Sequence, residues 1–443
     1  MKFLNRLKSL WLGVLLFPGL LMAQDRALRD TDGLTLEQCV AYALQNRAAV
    51  EQARLDEQIG DHQIKAKLSE WYPQISATYG GVKNLKLQQQ PFGNELVTLG
   101  RNYNSNIQFQ ANQTLFSNDL LLASRASGYT RQRLELNTQD TRINTVVDVS
   151  KAFYDLLLTQ EQVRILEENY ARQEKQYKDA RSRFEVGLVD KTDYQRAAIT
   201  LGNIRSDRKR AQESVKAKQA YLKQLMGFPI EDELDLAYDY DTMQQAVLLD
   251  TTQLVDFTNR VELQQLRVQQ QILQLNTSNS KWGFLPTVSA YVNYNSLYFN
   301  NEFAQLYNQS YPTSGVGLQV SLPIFQGTKR LQNLKIARLQ EQRAEVEVEN
   351  TRKVINTEYQ TALANYKSNY FEWLTLRDNM QAAQEVYDII RLQYDEGIKA
   401  YVDLIVAETD LRTTQLNYYN ALFGVLASKL DYQRAIGETN INY

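Results

Sequence analysis

The sequence predicts an α+β protein built from two copies of one unit, in which short strand pairs alternate with very long helical hairpins. Three observations carry that prediction. A 65-residue stretch occurs twice, at 163–227 and 373–437, aligned without a gap and identical at twelve positions. Proline is absent from 92–228 and from 324–443. Between these tracts, four short segments alternate apolar and polar residues with a period of two.

The chain of 443 residues opens on what reads as a secretory signal peptide, residues 1–23. Lys2, Arg6 and Lys8 form its basic region, Leu10 to Met22 its apolar region, and Ala23 precedes a cleavage point. Export is therefore expected. Its removal takes Lys+Arg from 49 to 46 against 51 acidic residues, a net charge of −5. That balance excludes a nucleic-acid partner. A single cysteine, Cys39, excludes an internal disulfide, and a single histidine, His62, excludes multi-histidine metal sites. No apolar run of 18 residues follows the signal, so any membrane span has to be made of strands.

The first repeat is expected at 24–228 and begins with a helix at 35–69, on which Cys39 reads as a small buried hydrophobe and His62 as structural. A strand pair follows, within about 72–117. Residues 74–79 alternate, and at 106–111 Ile107, Phe109 and Ala111 oppose Asn106, Gln108 and Gln110. The second repeat, 251–443, has a helix at 251–281 and a strand pair at about 285–325. There Val288, Ala290, Val292 and Tyr294 share one face, as do Val316, Leu318, Val320 and Leu322. Apolar against small or polar at period two describes a membrane strand between lipid and a wet lumen. It also describes an ordinary half-buried antiparallel sheet. Loops at 83–102 and 299–312, and aromatics at the strand starts (Trp71, Tyr72, Trp282, Phe284), favour the membrane. Four strands cannot close a barrel, and open edges in hydrocarbon are prohibitive, so a membrane sheet of this size requires oligomerisation.

Each proline-free tract holds a helix of about 68 residues, 119–186 and 329–396, roughly 100 Å long at 1.5 Å per residue. Val163, Leu166, Tyr170, Gln173, Tyr177, Ala180 and Phe184 make a stripe in steps of three and four, matched by Trp373 to Tyr394. Such a stripe faces neighbouring helices along its length, as in a coiled coil. Gly187 and Gly397 punctuate the helices, and a second helix returns to Gly227 or Gly437. The connector 229–250 is acidic and reads as a solvated surface beside the helices.

Taken together, the chain resembles the TolC-type outer membrane efflux family over nearly all its length. The supporting residues are Leu-Thr-Leu-Glu-Gln-Cys at 34–39, Trp-Tyr-Pro-Gln-Ile-Ser at 71–76 and Gly-Phe-Leu-Pro-Thr-Val-Ser at 283–289. Phe-Glu-Val-Gly-Leu-Val-Asp-Lys-Thr-Asp at 184–193 and Tyr-Asp-Glu-Gly-Ile-Lys-Ala-Tyr-Val-Asp-Leu at 394–404 complete the set. The resemblance implies a homotrimer, with four strands per chain forming a transmembrane β-barrel continuous with a trimeric α-barrel. It further implies an outer membrane exit duct that extends into the periplasm. Such a duct serves a tripartite efflux or type I secretion system and docks onto a periplasmic adaptor and an inner-membrane transporter. No enzymatic activity and no cofactor is expected, and no phosphate loop or metal-ligand spacing occurs in the sequence.

The resemblance also implies a periplasmic gate at the helical tips, formed by Thr192, Asp193, Tyr394, Lys399 and Asp403. Lys399 stands where an arginine is usual, and Val406 where some relatives have a second acid, which implies a less negative entrance. Adaptor contacts are expected at Val186, Gly187, Leu188, Val189, Gly397 and Ile398. Local roles compete with these. Thr192 with Gln195 reads as a capping box, and Asp193 suits a first helical turn. A different class of function, a periplasmic coiled-coil adaptor or scaffold with a soluble β domain, also has long hairpins, though usually one.

Overall fold

In the computed structural model, residues 33–187, 190–237, 240–250 and 256–441 are described. The expected signal peptide lies outside them, as do Leu188, Val189 and Asp239. In chain order the elements are α1 (Leu36–Asn46), α2 (Ala48–Leu68), β1 (Gln74–Lys83), β2 (Gln88–Phe92), β3 (Glu95–Leu99) and β4 (Tyr103–Phe116). Then come α3 (Asn118–Glu185), α4 (Lys191–Met226), α5 (Tyr240–Ala246), α6 (Val261–Lys281), β5 (Thr287–Asn300), β6 (Tyr311–Ser321), α7 (Lys329–Asp395) and α8 (Tyr401–Ile436).

One ordering principle organises the chain. The main sheet is antiparallel throughout, in the order β1-β4-β5-β6. Each strand leads into or out of one helix: α2 into β1, β4 into α3, α6 into β5, β6 into α7. Those helices pack in the same order, α2 on α3, α3 on α6 and α6 on α7. Sheet and helices therefore form one continuous wall. Farther down, α4 packs on α3, and α8 packs on both α7 and α3, so the two hairpins lie side by side.

Register sorts the sheet into two chemically opposite faces. Ile75, Ala111, Val292 and Val316 form one cross-strand row. The adjacent row on the other face is Ser76, Gln110, Asn293 and Gly315, and the next there is Thr78, Gln108, Asn295 and Thr313. No ionisable residue occurs in these rows. On the apolar face Ile75, Val316 and Leu318 are more than 70 % exposed. A contiguous apolar face of this kind needs hydrocarbon or a partner against it.

Two expected helices are interrupted. The helix at 35–69 breaks at Arg47, whose ψ of 126° is extended, giving α1 and α2. Of the expected helix at 251–281, residues 251–255 lie outside the described residues, and α6 begins at Val261 after a short 3-10 turn at Phe257–Asn259. The break lets α1 fold back onto α3 and α4. Thr35 and Gln38 form a reciprocal capping box at its start. Cys39, Val40 and Ala43 then join the largest core with Val149, Phe153, Leu222, Tyr418 and Val425. Burial pushes the Cys39 thiol up to about 12, so it stays protonated and inert. His62 is exposed on α2.

The duplication extends to this midsection. Arg47 bonds Asp148 at 3.1 Å, and Arg260 bonds Glu358 at 2.8 Å, with Asp148 and Glu358 at matching positions of α3 and α7. The C-cap glycines of α4 and α8 each sit against one of these arginine junctions, Gly227 beside Asn46 and Gly437 beside Asn259. Both have positive φ, 70° and 78°. They differ in space: a Cβ on Gly227 would lie 2.3 Å from the Asn46 carbonyl oxygen, whereas on Gly437 the nearest atom is 3.4 Å away. Gly437→Ala should therefore cost about 1–2 kcal/mol from backbone conformation alone. Gly227→Ala should cost roughly 1–3 kcal/mol more, from overpacking. Chemical denaturation of the two variants in detergent checks the order; equal losses would remove the steric argument.

The connector is less of a bare surface than its acidity implies. Leu236 bridges Leu34, and Leu234 and Val247 are buried in the main core. The Tyr366 hydroxyl donates to the Val247 carbonyl at 2.9 Å, and the Lys429 ammonium to the Leu248 carbonyl at 3.2 Å. Another expected loop, 83–102, contains a hairpin of its own, β2 with β3, turned at Gly93 with φ 67°.

Candidate functional site

The lower ends of α3, α4, α7 and α8 converge on a small core separate from the main one. Ala180, Ala197, Tyr387, Tyr401, Leu404, Ala407 and Leu411 are buried there. The two hairpins reach this core from opposite ends of the sequence and close it with aromatic rings. Within the first hairpin Tyr194 stacks on Tyr177 and on Phe184, at 5.5 and 5.8 Å between centroids. Within the second, Tyr394 leans on Tyr401 at 5.9 Å. Arg183 of α3 lies over the Tyr394 ring at 5.7 Å, joining one hairpin to the other.

Above the rings lies a buried polar link between the hairpins. Glu408 of α8, only 4 % exposed, faces α3. It accepts hydrogen bonds from Arg172 Nε at 3.3 Å, from Gln176 Nε2 at 3.1 Å and from Gln173 Nε2. Arg172 in turn donates to Asn169 Oδ1 and lies over the Tyr387 ring at 5.9 Å. A carboxylate taken out of water is tolerable only when paired and bonded in this way. Sequence reasoning missed Glu408. The signal was present: Tyr401, Leu404, Glu408 and Leu411 run in steps of three and four, with one charge inside the apolar stripe.

The residues expected at the gate are distributed around the same tips. Tyr394 is half-buried, and burial raises its pKa, with the charge of Asp193 acting in the same direction. Tyr401 is raised too, first by burial and then by Glu408, and its hydroxyl has no hydrogen-bond partner among the described residues. Asp193 thus lies close to the second hairpin. Among the described residues, no hydrogen bond or ion pair engages the side chains of Thr192, Asp193, Lys399 or Asp403. The capping box expected of Thr192 and Gln195 does not form. Asp190 is the N-cap of α4, without a side-chain bond, and Thr192 is already the second helical residue. Asp193 and Asp403 occupy the first turns of α4 and α8, where the helix dipole favours a carboxylate. Val406 is exposed. At the extreme tips, Val186 and Ile398 are 70 % and 72 % exposed beside Gly187 and Gly397.

An apolar-faced antiparallel sheet that runs into a wall of helices, ending in two clasped hairpins, has the build of an outer-membrane duct protein. The chain belongs to the outer membrane efflux protein family, whose profile matches residues 40–228 and 257–438. It is 24 % identical over 413 residues to a probable efflux pump outer membrane protein, TtgC of Pseudomonas putida, covering 91 % of this chain and 82 % of that one. It is 21 % identical over 382 residues to the outer membrane protein TolC of Vibrio cholerae, covering 84 % of each. Among solved structures, the CmeC outer membrane channel of Campylobacter jejuni superposes with a TM-score of 0.74 at 17 % identity, covering 92 % of this chain and 87 % of that one. The chain is therefore an outer-membrane exit-duct protein of the α+β channel fold, and the soluble-adaptor alternative falls with that membership.

Proposed function

We propose that three copies of the chain close side by side into one tube, a twelve-stranded barrel above a helical tunnel. The tube is the passive outlet of a tripartite efflux or type I secretion machine. The observation that carries this reading is the sheet itself: four strands, edges β1 and β6 without a partner strand among the described residues, and one exposed apolar face. Unpaired backbone groups in hydrocarbon cost several kcal/mol each, and closure with neighbouring copies removes them. Apolar residues flank the same two edges below the sheet. Leu331, Leu339, Val346 and Val354 follow one face of α7, and Leu55 and Ile59 one face of α2. Four strands per copy reach a closable number at three copies.

The chain does no chemistry in this reading. Work comes from an inner-membrane transporter, and a periplasmic adaptor docks on the tips around Val186, Gly187, Leu188, Val189, Gly397 and Ile398. Docking releases a gate made of Thr192, Asp193, Tyr394, Lys399 and Asp403, with the Glu408–Arg172 pair as its firmest latch. The uncommitted side chains of Thr192, Lys399 and Asp403 suit partners on the adjacent copy.

Native mass spectrometry in detergent is expected to give a species of three chains, and a monomer or dimer would end the proposal. Cysteines placed at 188 and 398 should cross-link to a co-purified adaptor, since buried Cys39 does not compete. Cross-links confined to the barrel end would refute tip docking.

A further inference from the structure

The periplasmic end of the sheet holds a cleft that conduction does not require. The end of α6, the segment 323–327 and the first turns of α7 enclose about 430 Å³. Its lining includes Lys281, Phe284, Ile324, Phe325, Arg330 and Leu334. Arg330 places its guanidinium 5.8 Å from the Phe284 ring centroid. Among the described residues neither Arg330 nor Lys281 has a carboxylate partner. The α7 N-terminus adds to the positive field. Thr328 offers no side-chain cap, and the first turn contains no acid.

Beside this charge lies exposed hydrocarbon. Ile324 and Phe325 are 91 % and 88 % exposed, and they follow directly on Leu318, Val320 and Leu322 of the apolar face. Trp282 packs near Phe284 at 5.8 Å between centroids. Aromatic rings at the end of a membrane sheet mark the head-group layer. A water-filled lumen leaves the bare apolar pair uncovered, and a neighbouring copy along β6 covers the pair without calling for the cations, whereas a bilayer boundary accounts for both.

We infer that the cleft holds the phosphodiester head group of an anionic phospholipid from the periplasmic leaflet. Lys281 and Arg330 contact the phosphate, and the acyl chains lie along Leu322, Ile324 and Phe325. Lys and Arg near a membrane surface each contribute to binding of this kind, and a neutral zwitterion shares only the phosphate half of the recognition. The inference rests on the outer-membrane placement of the sheet.

The test titrates purified full-length protein with short-chain phosphatidylglycerol, phosphatidylcholine and inorganic phosphate, reading the thermal midpoint. Phosphatidylglycerol is expected to raise it, phosphatidylcholine to raise it far less, and inorganic phosphate to leave it unchanged. In K281Q/R330Q the phosphatidylglycerol affinity should fall roughly 25-fold, about fivefold for each cation. Equal effects of the two lipids on the unaltered protein overturn the site without reliance on any variant. Inorganic phosphate acting as strongly as the lipid overturns it as well, because the cleft is then a plain anion site. Membrane fractionation separates the two levels of failure. Protein absent from the outer membrane removes the placement itself, whereas membrane-embedded protein indifferent to phosphatidylglycerol removes only the lipid site.

Discussion

Glu408→Ala is expected to loosen the paired hairpins and raise single-channel conductance in planar bilayers several-fold. The carboxylate is 5 % exposed at its side chain and Arg172 is 28 % exposed, so removing one member leaves a largely desolvated guanidinium without its counter-charge. For a wholly buried pair such a deletion costs roughly 3–5 kcal/mol. Partial exposure of Arg172 lowers this to about 2–4 kcal/mol, still a large share of the contact between two surface helices. Gln173 and Gln176 lose their acceptor at the same time. Glu408→Gln keeps an acceptor and removes only the charge, so its effect should be smaller and in the same direction. The double change Asp193→Ala with Tyr394→Phe should raise conductance less, because no hydrogen bond joins those two side chains to each other. Unchanged conductance in Glu408→Ala would mean that the apolar core and aromatic rings of the tips hold them without this pair.

Val316→Arg is expected to abolish assembly into the outer membrane, while Gln108→Arg is expected to leave assembly intact. The two positions lie in adjoining parts of the sheet on opposite faces, Val316 in the Ile75 row and Gln108 in the Thr78 row. Arginine on the lipid face near the bilayer midplane costs ~2–4 kcal/mol in each chain, and every copy in the ring bears it. On the other face the guanidinium meets water, so conduction and its preference for ions change instead. Heat-modifiable bands in membrane fractions report the first effect and reversal potentials the second. If both variants assembled equally, the sheet would not be facing lipid.

Much of this was legible in local chemistry. Proline-free tracts punctuated by Gly187 and Gly397 contain the long helices, which run to Glu185 and Asp395. Alternation at 106–111 lies within β4, and that at 315–322 lies in β6 up to its end at Ser321, in strands whose faces divide as the residue types do. The break at Arg47 was not legible, since neither glycine nor proline marks it. It exists because α1 must turn to reach Phe153 and Leu222, contacts far away in sequence. The small hairpin at 88–99 did carry a signal, Gly93-Asn94 between two strand-like runs, but its polar Gln-rich arm hid the period. The pairing of β4 with β5, which joins the two repeats, spans nearly two hundred residues and has no local marker. Glu408 is the same kind of case: a charge inside a stripe can be noticed, but its partner 236 residues away cannot.

The shared order of strands and helices has a mechanical consequence. Neighbouring strands stand ~4.8 Å apart and neighbouring helices 8–10 Å, so four helices need about twice the width of the four strands they continue. Closed into the proposed three-copy tube, each stave must therefore be bent at its joint, and each joint carries the means. Pro73, Pro286 and Pro323 lie at three of them. At the fourth, where β4 meets α3, a register shift between Thr114 and Phe116 takes the place of a proline. These joints uncouple the diameter of the lower tube from that of the upper. Helical staves can splay or tighten below while the rim in the membrane, locked by its hydrogen-bonded ladder, keeps a constant bore.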